Sequence, residues 1–219
     1  MTISDRTVAI IGAGNIGSRL AANFAAGGQD YLLAGRDQAA ARKLAADLDG
    51  HAEAVSVDQA IERADVLVFA VWFDDFKQLI AQYGDRLVGK VIVDPSNAVG
   101  PDGAGGFRKV IGEQESSGQL LAGLLPAGAR LVKAFGTLSA GSLSAAAWRD
   151  PERAVQFYAA DDDDAGDLVA DLIRAGGYEP VRVGGLDQSI RIEMLGDLHE
   201  YDTLGRVVTK TKALKAISQ

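Results

Sequence analysis

Along the first two thirds of the chain, short wholly apolar runs alternate with longer segments whose apolar positions recur every three or four residues. Thr7–Ile11 (TVAII) is apolar and β-branched almost throughout and stops at Gly12, the pattern of a strand buried on both faces of a parallel sheet. Asn15–Ala26 then changes to helical spacing. The alternation continues with a strand at Tyr31–Ala34, an alanine-rich helix at Gln38–Leu48, a weak strand at Glu53–Val57, a short helix at Val57–Arg63 and a strong strand at Val66–Val71. A helix over Asp74–Tyr83, a strand at Lys90–Val93, a helix at Ser117–Leu125 and a strand at Ala129–Ala134 follow. The stretch Gly100–Gly106 is too rich in glycine for regular structure and predicts a mobile loop.

After Asp150-Pro151 the pattern restarts: a strand at Ala154–Ala159, an acidic tetrad Asp161–Asp164, a helix at Ala165–Ala175, a strand at Pro180–Val183, and helix through most of Ser189–Ser218. Strands alternating with helices imply an α/β fold, a Rossmann-type doubly wound, mainly parallel sheet with a small C-terminal helical extension. Residues 1–150 read as one nucleotide-binding unit, and residues 151–219 as a sheet extension and helical segment that complete the substrate pocket.

Composition narrows the functional classes. With 47% hydrophobic and 24% charged residues, 26 glycines and 5 prolines, the chain has the profile of a globular α/β protein. It has no cysteine, which excludes disulfides, thiolate metal sites and cysteine nucleophiles. A net charge of −8 sets the overall field against nucleic acid, so none is expected as a partner. No apolar run approaches the roughly 18 to 20 residues of a membrane span. The first seven residues lack a cationic stretch followed by an apolar one, so the expected location is cytoplasmic.

An anionic ligand must then be held by local groups, and one is announced at the first turn. Gly12-Ala13-Gly14-Asn15-Ile16-Gly17 fits G-x-G-x-x-G. Its value lies in context: it begins where a β-branched strand ends and it opens a helix. Gly12 permits the tight turn, Gly14 lets a pyrophosphate approach the backbone, and Gly17 lets helix and strand pack closely. The N–H groups at the start of the helix, from Asn15 and Ile16 onward, point a positive dipole end at the anion. At the end of the second strand, where NAD-binding proteins commonly carry a carboxylate for the ribose 2′-hydroxyl, the chain reads Ala34-Gly35-Arg36. Gly35 and Arg36 are expected to contact the cofactor, with the guanidinium of Arg36 suited to a 2′-phosphate, so NADP(H) is expected over NAD(H). Asp37 is the open alternative, because a small backbone shift would turn it onto the ribose. Arg42 and Lys43 read as surface.

In open α/β sheets the ligand lies beyond the carboxyl ends of the strands. Val71 and Trp72, Asn97, and Phe135 with Thr137 are therefore the residues expected at the reacting end of the cofactor, although Trp72 and Phe73 also suit a core cap or subunit contact, and Asn97 and Thr137 also suit local backbone bonding. A small ketone or imine substrate needs a proton donor as well as a hydride. His199 and Tyr201 are the candidates, and the carboxylates of Asp197, Glu200 and Asp202 are expected to raise the histidine pKa. The alternative places His199 on the surface of an acidic helix. His51 falls in a turn and carries little weight. One histidine among Glu193, Asp197 and Glu200 is too little for a metal site, and none is expected. Asp163 or Asp164 is expected to cap the helix that follows.

Taken in order, the fingerprint, Ala34-Gly35-Arg36, Val66–Val71 running into Trp72, Asp94-Pro95-Ser96-Asn97, Leu131-Val132-Lys133-Ala134-Phe135-Gly136-Thr137 and Asp161-Asp162-Asp163 resemble the F420-dependent NADP oxidoreductase family over nearly the whole length. The resemblance implies NADP use, hydride exchange with a second redox cofactor such as F420 or a flavin, and a homodimer joined through the C-terminal segment. Gly136 stands where the family often has Asn or His, and the segment Leu195–Tyr201 has its own character. A reductase of a small carbonyl or imine, and an NADPH-binding sensor without chemistry, are the alternative functions.

Overall fold

Burial on both faces is what the apolar first strand demands. In the computed structural model, which describes residues 2–218, strand β1 (Val8–Ile11) is buried along its whole length between β2 (Tyr31–Ala34) and β4 (Val66–Phe69), parallel to both. β3 (Ala52–Ala54), β5 (Val91–Asp94) and β8 (Arg130–Ala134) extend the parallel array, and β9 (Val155–Ala160) and β10 (Glu179–Gly184) complete a sheet of eight strands in the order β10-β9-β8-β5-β4-β1-β2-β3.

Helices cover both faces, as a doubly wound sheet requires. Val8 and Ile10 point into one core with Leu20 and Phe24 of α1 (Asn15–Ala26), Ala41 of α2 (Gln38–Ala46) and Val169 and Ile173 of α7 (Asp163–Ala175). Ala9 and Ile11 point into the other with Ile61 of α3 (Val57–Arg63), Phe76 and Ile80 of α4 (Phe73–Tyr83), Leu121 of α5 (Ser117–Leu124) and Ala213 of α8 (Lys210–Ile217). Adjacent residues of one strand thus feed opposite layers, the period-two consequence of the pleat.

One reversal breaks the parallel series. β9 runs antiparallel to β8, and β10 runs parallel to β9. The amino end of β9 therefore lies at the same edge of the sheet as the carboxyl ends of β1 to β5 and β8, and residues after position 150 continue the sheet while contributing to that edge.

Three sequence expectations need correction. Gly100–Gly106 is not a loop throughout: β6 (Val99–Pro101) pairs with β7 (Phe107–Lys109) as an antiparallel hairpin. Glycine supplies the left-handed residues of its tip, Gly103 and Gly105, and the Asp102 carboxylate accepts bonds from Ala104 N–H and Gly106 N–H. Second, Ser189–Ser218 is largely not helical. A 3-10 segment spans Leu186–Ile192, an irregular stretch follows, and only Lys210–Ile217 is α-helix. Leu195 takes a left-handed φ of 75°, and a Cβ on Gly196 would lie 2.3 Å from the Ile190 carbonyl oxygen, so tertiary contacts hold a path that no helix can follow. Third, the cap of α7 is Asp162, whose carboxylate accepts from Ala165 N–H at 2.7 Å, and Asp163 and Asp164 lie inside the first turn. Asp162→Ala is expected to cost about 1 kcal/mol, read as a lowered urea midpoint with an unchanged m-value. A short helix α6 (Ala140–Ala145), capped by Ser139, had no clear signal in its small residues.

Candidate cofactor site

The carboxyl ends of β2, β1, β4, β5 and β8 share one edge, and at the usual strand spacing that edge is about 19 Å long. The turn after β1 lies on this edge. Gly12 has φ 115°, and a Cβ there would lie 2.3 Å from the Ala70 carbonyl oxygen. A Cβ on Gly17 would lie 1.7 Å from the Gly12 carbonyl oxygen. Both glycines are thus required for α1 to sit against β1. Gly14 differs: an added Cβ would meet no atom within 4 Å, so the protein leaves this position open. Gly14 is also the N-cap of α1, and no side chain caps that helix. Uncapped N–H groups beside an open glycine backbone are what a pyrophosphate needs, so the residues present fit a dinucleotide.

At the end of β2, Asp37 is engaged within its own helix. Its carboxylate accepts bonds from Ala39 N–H at 2.9 Å and Ala40 N–H at 3.0 Å, which makes it the N-cap of α2. Arg36 is 88% exposed and reaches across the β1 turn to Asp75, in the first turn of α4, at 3.5 Å. Gly35 packs beside Ala13, with room for a Cβ only in ordinary contact at 3.6 Å.

The turn after β4 divides its two aromatic residues. Phe73 is buried in the core, whereas Trp72, the N-cap of α4, is 65% exposed at the edge. Val71 is half-buried next to it.

Beyond β5 and β8 the candidates serve mostly as struts. Asn97 donates to the Gly136 carbonyl at 3.0 Å and accepts from Met194 N–H at 2.6 Å, tying three segments together. The Phe135 ring is fully buried and packs edge-on against Phe24 at 5.9 Å, and its backbone takes a left-handed φ of 62°. Thr137 is buried and donates to the Gln156 side chain on β9 at 3.1 Å. Gly136 packs against the β5 turn, where a Cβ would lie 3.3 Å from the Pro95 carbonyl oxygen.

Beneath these loops lies a polar cluster that pattern reading overlooked. Lys133, fully buried on β8, donates to the Asp94 carboxylate at 2.8 Å, to Ser117 Oγ at 2.8 Å and to the Ser96 carbonyl. Glu193, also buried, accepts from Ser117 N–H and Gly118 N–H and so anchors the start of α5. The signal was present: a lysine inside an otherwise apolar strand needs a partner.

His199 and Tyr201 are neighbours with different access. His199 is 1% exposed, in a turn and not on a helix, whereas Tyr201 is 68% exposed, with ring centroids 5.5 Å apart. Tyr201 N–H donates to His199 Nδ1 at 3.2 Å, which leaves the imidazole proton on Nε2 in the neutral ring. The expected upward pKa shift is reversed: burial lowers the pKa from its ordinary 6.5 and outweighs the opposing carboxylates of Glu200 and Asp202. The unfolded chain therefore takes up a proton that the folded one resists, and His199 removes stability as pH falls below about 6.5. Urea midpoints measured between about pH 7.5 and 5.5 should fall less steeply in His199→Gln than in the parent. Equal slopes would contradict this.

Among the described residues, no three His, Cys, Asp or Glu side chains converge to hold a metal ion, and no helix is long and apolar enough to cross a membrane.

Residues 7–98, from β1 to the turn after β5, match the family model of the coenzyme F420-dependent NADP oxidoreductases. That segment of the chain carries the nucleotide-binding domain of this family. The chain is similar to a hypothetical protein of Sinorhizobium meliloti, with 32% identity, 96% of each chain covered and a TM-score of 0.81. A protein of Arthrobacter sp. described as an F420-dependent NADP reductase shares the fold at 21% identity and a TM-score of 0.69, covering 84% of this chain and 87% of that one. A pyrroline-5-carboxylate reductase of Coxiella burnetii also shares it, at 19% identity and a TM-score of 0.63, but the match covers 87% of this chain and only 63% of that one. No curated protein matches the chain.

Proposed function

We propose that the chain is an enzyme that binds NADPH along the carboxyl edge of the sheet and reduces a second, planar redox cofactor such as F420 or a flavin. The observation that carries the binding half is the combination at α1: an open Gly14, two glycines that allow no side chain, and a helix start without a cap. Asn15, Ile16 and Gly17 offer N–H groups to the pyrophosphate, and Gly35 with Arg36 borders the adenosine end. Asp37, committed to α2, leaves no carboxylate aimed at the ribose from β2, which favours the phosphorylated cofactor.

The nicotinamide, when bound, supplies the hydride. What the chain supplies is position. Val71, Trp72, Asn97 and the backbone from Phe135 to Thr137 form the reacting end, held rigid by the Asn97 bridges and by the Lys133 cluster below them. The space between Thr137, Glu200 and Val208 is too tight to admit a water, whereas Trp72 and Tyr201 present exposed aromatic faces. Exposed rings suit a flat acceptor that stacks, with transfer governed by ring placement. A small ketone or imine calls instead for an enclosed pocket with a reachable acid. His199 is shut away from solvent, so on that second reading Tyr201 is the accessible donor. Residues 151–219 are proposed to complete the acceptor side and to carry the homodimer contact.

The test is rapid mixing of the NADPH complex with oxidised F420, FMN and FAD while following the nicotinamide absorbance. Oxidation by one of them is expected. Tight NADPH binding with no oxidation by any of the three would overturn the acceptor class and direct the search to carbonyls and imines, where loss of turnover in Tyr201→Phe with cofactor affinity intact would identify the acid.

A further inference from the structure

Asp75 is the acidic residue that meets Arg36. β1 lies between β2 and β4 in the sheet, so an ion pair from the end of β2 to the first turn of α4 crosses directly over the glycine turn. The neighbouring acid, Asp74, is mostly exposed and pairs with Lys77 at 2.7 Å on its own helix. Asp75 is only 27% exposed and points the other way, across the crevice that the adenosine end of a dinucleotide would enter.

We infer that Asp75 sets the discrimination between phosphorylated and unphosphorylated cofactor by competing with the 2′-phosphate for Arg36. The inference rests on the proposed NADPH reading. A guanidinium presents one fork, and a phosphate engages it with two parallel bonds where the 3.5 Å contact to Asp75 is a single loose one. Binding a 2′-phosphate therefore exchanges a carboxylate for a phosphate and also brings that phosphate near a displaced negative charge. NADH lacks the phosphate and leaves the pair as it is. The carboxylate thus weakens NADPH binding selectively, and it keeps Arg36 from being an open anion trap in the free protein.

The experiment compares NADPH and NADH affinities, and those of the fragments 2′,5′-ADP and 5′-AMP, for the parent, Asp75→Asn, Arg36→Gln and the double variant. Asp75→Asn is expected to bind NADPH and 2′,5′-ADP about two- to fivefold more tightly, the range set by an exposed ion pair, with NADH and 5′-AMP unchanged. The gain should shrink as salt is raised and disappear in the Arg36→Gln background. A parent protein that binds NADH as well as NADPH would overturn the cofactor reading itself. A parent that prefers NADPH while Asp75→Asn leaves the ratio unchanged would overturn this inference alone. Weaker NADPH binding in Asp75→Asn would also overturn it, because Asp75 would then position Arg36 for the phosphate. Equal changes in NADPH and NADH binding, with a lowered melting temperature, would reduce Asp75 to a helix-terminus residue.

Discussion

Gly14→Ala is expected to abolish useful NADPH binding while leaving the protein folded, and Gly17→Ala is expected to lose both. The two glycines lie three residues apart in one motif, yet their surroundings are opposite. At Gly17 the new methyl would lie 1.7 Å from a backbone oxygen of the β1 turn, which no rotamer change can relieve. Helix α1 would have to lift from the sheet, and α1 contributes Leu20, Ala21 and Phe24 to one of the two cores. At Gly14 the methyl meets nothing, and the backbone angles, φ −81° and ψ −155°, suit alanine. The expected stability loss there is at most about 1 kcal/mol, the difference between glycine and alanine at an N-cap. The methyl instead occupies the space reserved for close approach of the pyrophosphate, so NADPH affinity should fall by roughly tenfold or more. Calorimetric titration beside thermal melting separates the two effects. Undiminished NADPH binding in Gly14→Ala would show that the cofactor does not lie on the α1 turn.

Lys133→Met carries the largest expected cost in stability. The ammonium is the cation for a fully buried Asp94, stands 3.9 Å from a buried Glu193, and bonds the start of α5 through Ser117. Removing it leaves a carboxylate without its countercharge in the interior, a change that typically costs about 3 to 5 kcal/mol. That is a large share of the roughly 5 to 15 kcal/mol that holds a domain together. Adding Asp94→Asn should recover part of the loss, because the stranded charge goes with it, and the non-additivity measures the pair. A cost below about 1 kcal/mol for Lys133→Met would mean that the cluster holds together without its cation.

How far the sequence was legible follows from the range of the forces involved. The central strands β1, β2 and β4 announce themselves because both faces are buried, which leaves apolar residues at every position, and α1 and β2 fall on the residues expected. The glycine turn was legible because Gly12 and Gly17 leave no room for a Cβ against a backbone oxygen, while Gly14 keeps the turn open. The C-terminal segment was not. Its path is set by Met194 N–H bonding to Asn97, Glu200 N–H bonding to the Thr137 carbonyl, and Val155 N–H bonding to the Val208 carbonyl, partners scores of residues distant in the chain. Its helix-compatible composition therefore misleads. The reversal at β9 was hidden for a related reason: a buried strand has the same apolar run in either direction. His199 shows the limit for chemistry. Its carboxylate neighbours in sequence argued for a raised pKa, and burial decided the opposite sign. Asp75 had no local mark at all, since its meaning comes from Arg36, 39 positions earlier and across a strand.

Trp72, exposed where β4 meets α4, makes the central claim directly measurable. Titration of the purified protein with NADPH and with NADH, followed by tryptophan fluorescence with Trp72→Phe as the control for the origin of the signal, tests whether the carboxyl edge is a cofactor site and which cofactor it takes. The account predicts saturable quenching by NADPH, tighter than by NADH, and a signal that largely disappears in Trp72→Phe. Binding of neither nucleotide, or of NADH as tightly as NADPH, would contradict it.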